Sequence, residues 1–316
     1  MMTLARHLSA KARTGDATLQ VRLRWSDIVV STGSTVAALA LVLYARWVPG
    51  WERSVAAFAL MAVGAPLMRS LATRHKKLAK LGVFASFWLL PCAAMGHGAL
   101  KPLVDGLHPR LMDGYLASAD LRLFGTSPSV WVGSYVPGWL NDVLLLCYYS
   151  YFIWPAALGY VLYRHRERKI YEQYLTTLAL LVTANFIGYL LVPAVGPRFF
   201  LAQSFPTPLP GLLAPYLESA MRAPLFMKDC FPSGHTAMTL TVLTFAYRNA
   251  RRFFWGMLPV GAGLIAATVT GRFHYGIDLV CAVPFCIATL SAANALARIH
   301  PLGFTLPLPV LVEARA

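Results

Sequence analysis

Apolar residues run through this chain in blocks of about twenty, separated by short polar and basic stretches. A helix needs roughly 20 mostly apolar residues to cross a hydrocarbon core. Eight blocks approach that length: 27–47, 54–73, 81–98, 138–163, 172–193, the stretch from Pro232 to Arg248, 254–271 and 276–298. The pattern predicts an all-α polytopic membrane bundle of about eight transmembrane helices. Residues 99–136 break it. Asp105, Asp113, Asp120, Arg110 and Arg122 are mixed there with spaced Leu, Tyr, Phe and Trp, and Pro and Gly interrupt repeatedly. This stretch reads as short amphipathic helices lying in the membrane interface; Asp120 either fixes this segment or, the favoured reading, lies on a solvated face. The expected organisation is a basic tail over 1–26, helical near the membrane, and two accessory helices over 27–79. A six-helix core follows over 80–298, then a short proline-rich tail over 299–316 with no assigned structure.

Composition narrows the class. The chain is 57% hydrophobic and 13% charged, where a soluble domain carries roughly 25% charged residues. The formal charge of +15 invites a nucleic-acid reading, but its placement speaks against one. If the blocks alternate across a bilayer, 19 of the 28 Lys and Arg fall on the side holding both termini. The positive-inside rule then puts the termini in the cytoplasm. The excess charge is a topology signal, and no nucleic-acid partner is expected. The first 25 residues lack an apolar stretch, so the first span is expected to serve as the targeting signal. Five cysteines stand singly without a CxxC pair, which indicates neither a zinc site nor a disulfide framework.

The candidate chemistry lies at the ends of the last spans. His274 and Asp278 are four residues apart, one turn along a helix. A carboxylate so placed accepts a hydrogen bond from one ring nitrogen and leaves the other free as a nucleophile. The plain alternative is a structural His–Asp pair at a helix start. Pro232-Ser233-Gly234-His235 opens the sixth block. Proline suits a first helical turn, and Ser233 and Gly234 place a hydroxyl and open N–H groups at a helix N-terminus, which attracts anions. His235 there can act as a general acid; the plain alternative is a serine-capped helix start. Gly196-Pro197-Arg198 ends the fifth span on the same expected side. Arg198 offers a planar cationic fork for phosphate oxygens, against the alternative of a snorkelling helix-end arginine. Arg272 and Lys228 are further phosphate-binding candidates.

Taken together, the PSGH segment and His274-Tyr-Gly-Ile-Asp278 across one helical hairpin resemble the type 2 phosphatidic acid phosphatase superfamily. The resemblance covers about residues 80–298. PSGH matches the second motif of that superfamily, which carries over Ser233 and His235; His274 and Asp278 match its third, SRxxxxxHxxxD. Ala267 and Thr268 occupy the Ser and Arg positions of the third motif, and Gly196-Pro197-Arg198 stands where KxxxxxxRP is usual. HYxxDL and GPR look more like the inositol phosphotransferase branch, which includes the inositol phosphorylceramide synthases. The resemblance implies two-step phosphoryl transfer without metal or cofactor. His274 would form a phosphohistidine, and His235 would protonate the leaving oxygen and then activate the acceptor. Arg198, Ser233, Gly234 and Arg272 would stabilise the equatorial oxygens. The expected partners are a lipid-linked phosphate, membrane lipids, and water or an alcohol as acceptor; the site is expected on the extracytoplasmic face. The competing reading is a catalytically silent relative that binds or transports lipid. A haloperoxidase would share the phosphate-like site, but eight spans argue against it.

Overall fold

The computed structural model describes residues 19–108, 110–133, 135–205, 207–216, 228–300 and 304–308. Most of the basic N-terminal tail, the end of the C-terminal tail and residues 217–227 of the loop before PSGH lie outside these. The chain begins with β1 (Leu19–Leu23), α1 (Trp25–Tyr44) and α2 (Trp51–Arg74), then α3 (Leu81–Phe87), α4 (Leu89–Ala99) and α5 (Lys101–Leu107). Next come α6 (Asp113–Phe124), α7 (Pro128–Gly133), α8 (Gly138–Tyr149) and α9 (Ile153–His165). The remaining elements are α10 (Arg168–Leu191), the one-turn α11 (Pro197–Phe200), α12 (Gly234–Asn249), α13 (Arg251–Thr270), α14 (Gly276–Ile299) and β2 (Phe304–Leu308).

Among the described residues, six helices are long and apolar enough to cross a membrane: α1, α2, the α8–α9 pair, α10, α13 and α14. Leu39, Leu43, Leu60, Val63 and Ile287 stand exposed on these helices, where acyl chains rather than water would cover them. The architecture is an all-α polytopic membrane bundle. Two expected spans differ from their pattern. The block 81–98 is broken, and its two arms meet at 56°. Pro91 has no N–H for the carbonyl of Phe87, so the helix cannot run straight through. Trp88, at the break, donates its indole N–H to the Met61 carbonyl at 3.4 Å. The helix opening at PSGH, α12, has only 16 residues, about 24 Å long.

Helix α10 is the axis. Some 56% of its most apolar window is buried, against 22–33% for the other candidate spans. Tyr171, Tyr174 and Leu178 of α10 pack with Leu158 and Leu162 of α9 and Val242 and Ala246 of α12. Its threonines return their hydroxyls to the helix itself, Thr176 to the Glu172 carbonyl and Thr177 to Gln173, both at 2.8 Å. A second cluster seats α1 and α2, through Leu41, Phe58 and Met61, against Leu100 and Leu103 near α5.

The two expected tails meet. Leu19–Leu23 pairs antiparallel with Phe304–Leu308, Leu19 opposite Leu308 and Leu23 opposite Phe304. The helix expected near the membrane in the N-terminal tail is therefore a strand, and part of the C-terminal tail is ordered. Trp25 fastens the ribbon, donating its indole N–H to the His300 carbonyl at 3.0 Å and packing edge-on against Phe304.

Candidate active site

Helix α13 ends in a turn that aims His274. Arg272 adopts φ of 64°, the left-handed region that a side chain makes costly. That conformation lets the N–H groups of Phe273 and His274 both reach the Thr268 carbonyl, at 3.0 and 2.9 Å. His274 is then delivered just ahead of α14, before its N-cap Tyr275, where its Nδ1 lies 3.2 Å from Oδ2 of Asp278. Asp278 is fully buried and also accepts from the Tyr275 N–H at 2.9 Å. With Nδ1 donating to the carboxylate, Nε2 of His274 carries the free lone pair.

His235 comes from the opposite side. Ser233 caps α12, its Oγ accepting from the Thr236 N–H at 3.3 Å and donating to Thr236 Oγ1 at 3.0 Å. The Ser233 N–H donates to the Asp278 carbonyl at 3.3 Å, which ties the start of α12 to that of α14. Gly234 is required by proximity: a Cβ there would stand 2.7 Å from Nδ2 of Asn185 on α10. Asn185 in turn donates to the Pro232 carbonyl at 3.2 Å. These bonds place the His235 ring 5.9 Å from that of His274, centroid to centroid.

An aromatic column holds His235. Its ring stacks on Tyr148 at 4.4 Å and leans on Tyr151 at 4.3 Å. Phe273 stacks on the other face of this column, 4.3 Å from Tyr148. The Arg198 guanidinium lies 5.9 Å over the Phe273 ring, and the Arg198 N–H donates to the Arg272 carbonyl at 2.9 Å. Gly196 makes this approach feasible: it sits at φ of 86°, and a Cβ would come 2.6 Å from the Phe273 carbonyl oxygen.

The structure thus brings His235, His274, Asp278, Gly234 and Arg198 into one cluster. The other candidates are engaged elsewhere. Ser233 is fully buried with its hydroxyl committed to the cap. Arg272 turns its guanidinium to the Thr207 carbonyl at 2.9 Å and over the Phe205 ring at 4.1 Å. Lys228 pairs with Asp105 at 2.7 Å.

Several residues of the site carried no sequence signal of their own. Cys230 donates its thiol to Asp278 Oδ2 at 3.0 Å and lies 3.6 Å from His274 Nδ1. Burial pushes that thiol well above its usual range, and the adjacent Asp278 adds to the effect. The three polar atoms of Cys230, His274 and Asp278 lie within 4.8 Å of one another, a spacing that could hold a metal ion. The bonds among them already use the thiol hydrogen, Nδ1 and the carboxylate oxygen that a metal would need. His97 Nε2 lies 2.6 Å from Asp229 next door.

Asp120 requires a correction. Expected on a solvated face, it is fully buried, and its two oxygens accept the N–H groups of Gly276 and Ile277 at 2.9 and 2.8 Å. It caps α14 from another helix. Asp113, two turns earlier on α6, accepts from the N–H groups of Val195 and Gly196 and from the Tyr275 hydroxyl. The signal available was the spacing: seven residues apart, with apolar Leu116 between, the two carboxylates share one helix face.

A family model described as PAP2 superfamily matches residues 116–292. No curated protein and no solved structure matches the chain.

Proposed function

The chain belongs to the PAP2 superfamily, and on that premise we propose that it cleaves or transfers the phosphate of a lipid-linked phosphoester through a phosphohistidine on His274. The observation that carries this reading is the pair of imidazoles 5.9 Å apart, one of them fixed at Nδ1 by a buried carboxylate. In the first step Nε2 of His274 attacks phosphorus. The bond to the leaving oxygen breaks as that oxygen takes a proton from His235. In the second step His235, now neutral, removes a proton from water or an alcohol, whose oxygen displaces His274. Asp278 stabilises the charge that His274 acquires and holds its tautomer. Arg198 and the N–H groups at the start of α12 face the negative charge on the equatorial oxygens.

Water as acceptor makes the protein a phosphatase; an alcohol makes it a phosphotransferase. Gly196-Pro197-Arg198 and His274-Tyr-Gly-Ile-Asp278 favour the transferase of the inositol phosphotransferase type. The charge asymmetry supports cytoplasmic termini and a site on the extracytoplasmic face, where a lipid headgroup would reach it.

Rapid quench with phosphorus-labelled lipid phosphate tests the chemistry. A phosphoramidate is labile to acid and stable to base, so label should survive base alone. His274→Ala should lose both label and turnover, and Asp278→Asn should retain the fold but react slower by up to roughly 10⁴-fold. Full turnover in His274→Ala would overturn the mechanism. Label that survives acid but not base would point to an acyl phosphate instead. Running the assay with and without added polyols separates transfer from hydrolysis.

A further inference from the structure

The end of the bundle remote from the two histidines holds a second polar enclosure. Arg22, Arg24, Arg69, Arg166 and Arg168 line a cavity of about 530 Å³, with Tyr171 on its wall. That volume lies in the range of small-ligand sites, roughly 300–1,000 Å³. Sequence scatters these arginines over β1, the start of α1, the last turns of α2 and the α9–α10 junction, and the fold converges them.

Among the described residues, the carboxylates bonded to this cluster are Asp27 and Glu172. Asp27 takes both arms of Arg69, at 2.6 and 3.2 Å. Glu172 shares one oxygen between Arg24 at 2.9 Å and Arg168 at 3.3 Å. Three guanidiniums, those of Arg24, Arg69 and Arg168, therefore share two carboxylates. Burial, with Arg69 adding like charge, holds Arg24 below its usual value although Glu172 opposes it.

Arg24 shows what is missing. Its side chain is 6% exposed, and its Nη2 donates to Ser86 Oγ at 2.9 Å. Its Nη1 is buried with no protein acceptor. Guanidinium has donors only, so a buried unpaired N–H demands an anion or a polar acceptor. One oxygen of Glu172 is also unpaired, but a cation seated against it would meet five arginines. Anions are the complementary ligand.

We propose that this cavity binds a terminal phosphate, as a monoester or the free ion, at a site separate from the reaction centre. Planar guanidinium forks suit phosphate oxygens: Arg24 supplies the buried contact, and the exposed Arg166 and Arg168 close over the outer oxygens. The two sites lie on different parts of α10. Tyr171 lines the cavity and Asn185 supports the PSGH turn, about 20 Å apart along the helix. The phosphate belongs either to a phospholipid headgroup of the adjoining leaflet or to a soluble ion.

The test uses the full chain in detergent. One arm titrates labelled inorganic phosphate by equilibrium dialysis. The other offers phosphatidylcholine with or without phosphatidic acid and reads retained lipid by native mass spectrometry. The variant is Arg166→Gln with Arg168→Gln. Both positions are exposed, so folding is spared, whereas removing Arg24 would take from Glu172 its buried ion-pair partner. Binding should weaken roughly tenfold in the double variant, in line with the loss of charge-assisted bonds, and persist in Arg198→Ala. Retention of phosphatidic acid alone assigns the lipid headgroup, and of inorganic phosphate alone the soluble ion. Binding undiminished in the double variant, lost only in Arg198→Ala, or undetectable in both arms would overturn the proposal.

Discussion

Arg198 reaches the site through a stack of rings rather than through a bond to either histidine. Its guanidinium lies over Phe273, Phe273 over Tyr148, and Tyr148 over His235. A planar group is suited to that position in two ways, by resting on a ring face and by presenting paired donors. Arg198→Lys keeps the charge and loses both. Turnover of lipid phosphate should fall at least about tenfold, with the thermal midpoint nearly unchanged. Wild-type kinetics would reduce Arg198 to a helix-end residue. Cys230 gives a different expectation. It donates to the carboxylate oxygen that also holds His274, so Cys230→Ala should leave Asp278 one donor short and lower kcat more than it raises KM. An effect on KM alone would mean that the thiol does not act through His274. The pairing of His274 with Asp278 was legible in sequence because it is local, four residues apart across the start of α14. Cys230 was not, because its bond to Asp278 spans a separation of 48 residues that only the folded hairpin closes.

At the scale of elements, α14 is held by a carboxylate that another helix supplies. Four N–H groups at a helix start lack partners within the helix, and Asp120 of α6 satisfies two of them. Asp120→Ala should therefore cost about 1–3 kcal/mol and loosen the turn that carries His274. The measurement is paired: thermal unfolding should shift down, and activity at low temperature should fall as well. A stability loss with full activity would make Asp120 a brace remote from the chemistry. The bundle itself was legible, since runs of apolar residues are written locally in the chain. Its irregularities were less so. The break between α3 and α4 was not foreseen in the block 81–98; Pro91 was its available signal, and its angle depends on Trp88 lodging against α2, where a Cβ on Gly64 would stand 2.3 Å from the indole. Asp120 was misread for a related reason. A polar residue on an amphipathic helix looks solvated until the helix end it caps is known.

For the molecule as a whole, topology decides which compartment the site serves. Leu212 is 83% exposed and follows α11 on the side of the two histidines; Arg166 is exposed beside the arginine cavity. In intact cells, an impermeant thiol reagent should label Leu212→Cys and spare Arg166→Cys, read over the background of five native thiols, three of them buried. The reverse pattern would place the reaction in the cytoplasm. The prediction tests the charge asymmetry alone and leaves the chemistry of the site untouched.

The ribbon of β1 and β2 also imposes an order in time. Leu19 pairs with Leu308 and Leu23 with Phe304, so β1 leaves the ribosome long before its partner β2. At about 5–20 residues per second, β1 stays without its partner for roughly tens of seconds while the helices between them are made. The clasp closes only once α14 and β2 have both been made. A chain released early, just after His300, would hold the same helices but present an open strand edge, the kind of edge on which a second chain can pair.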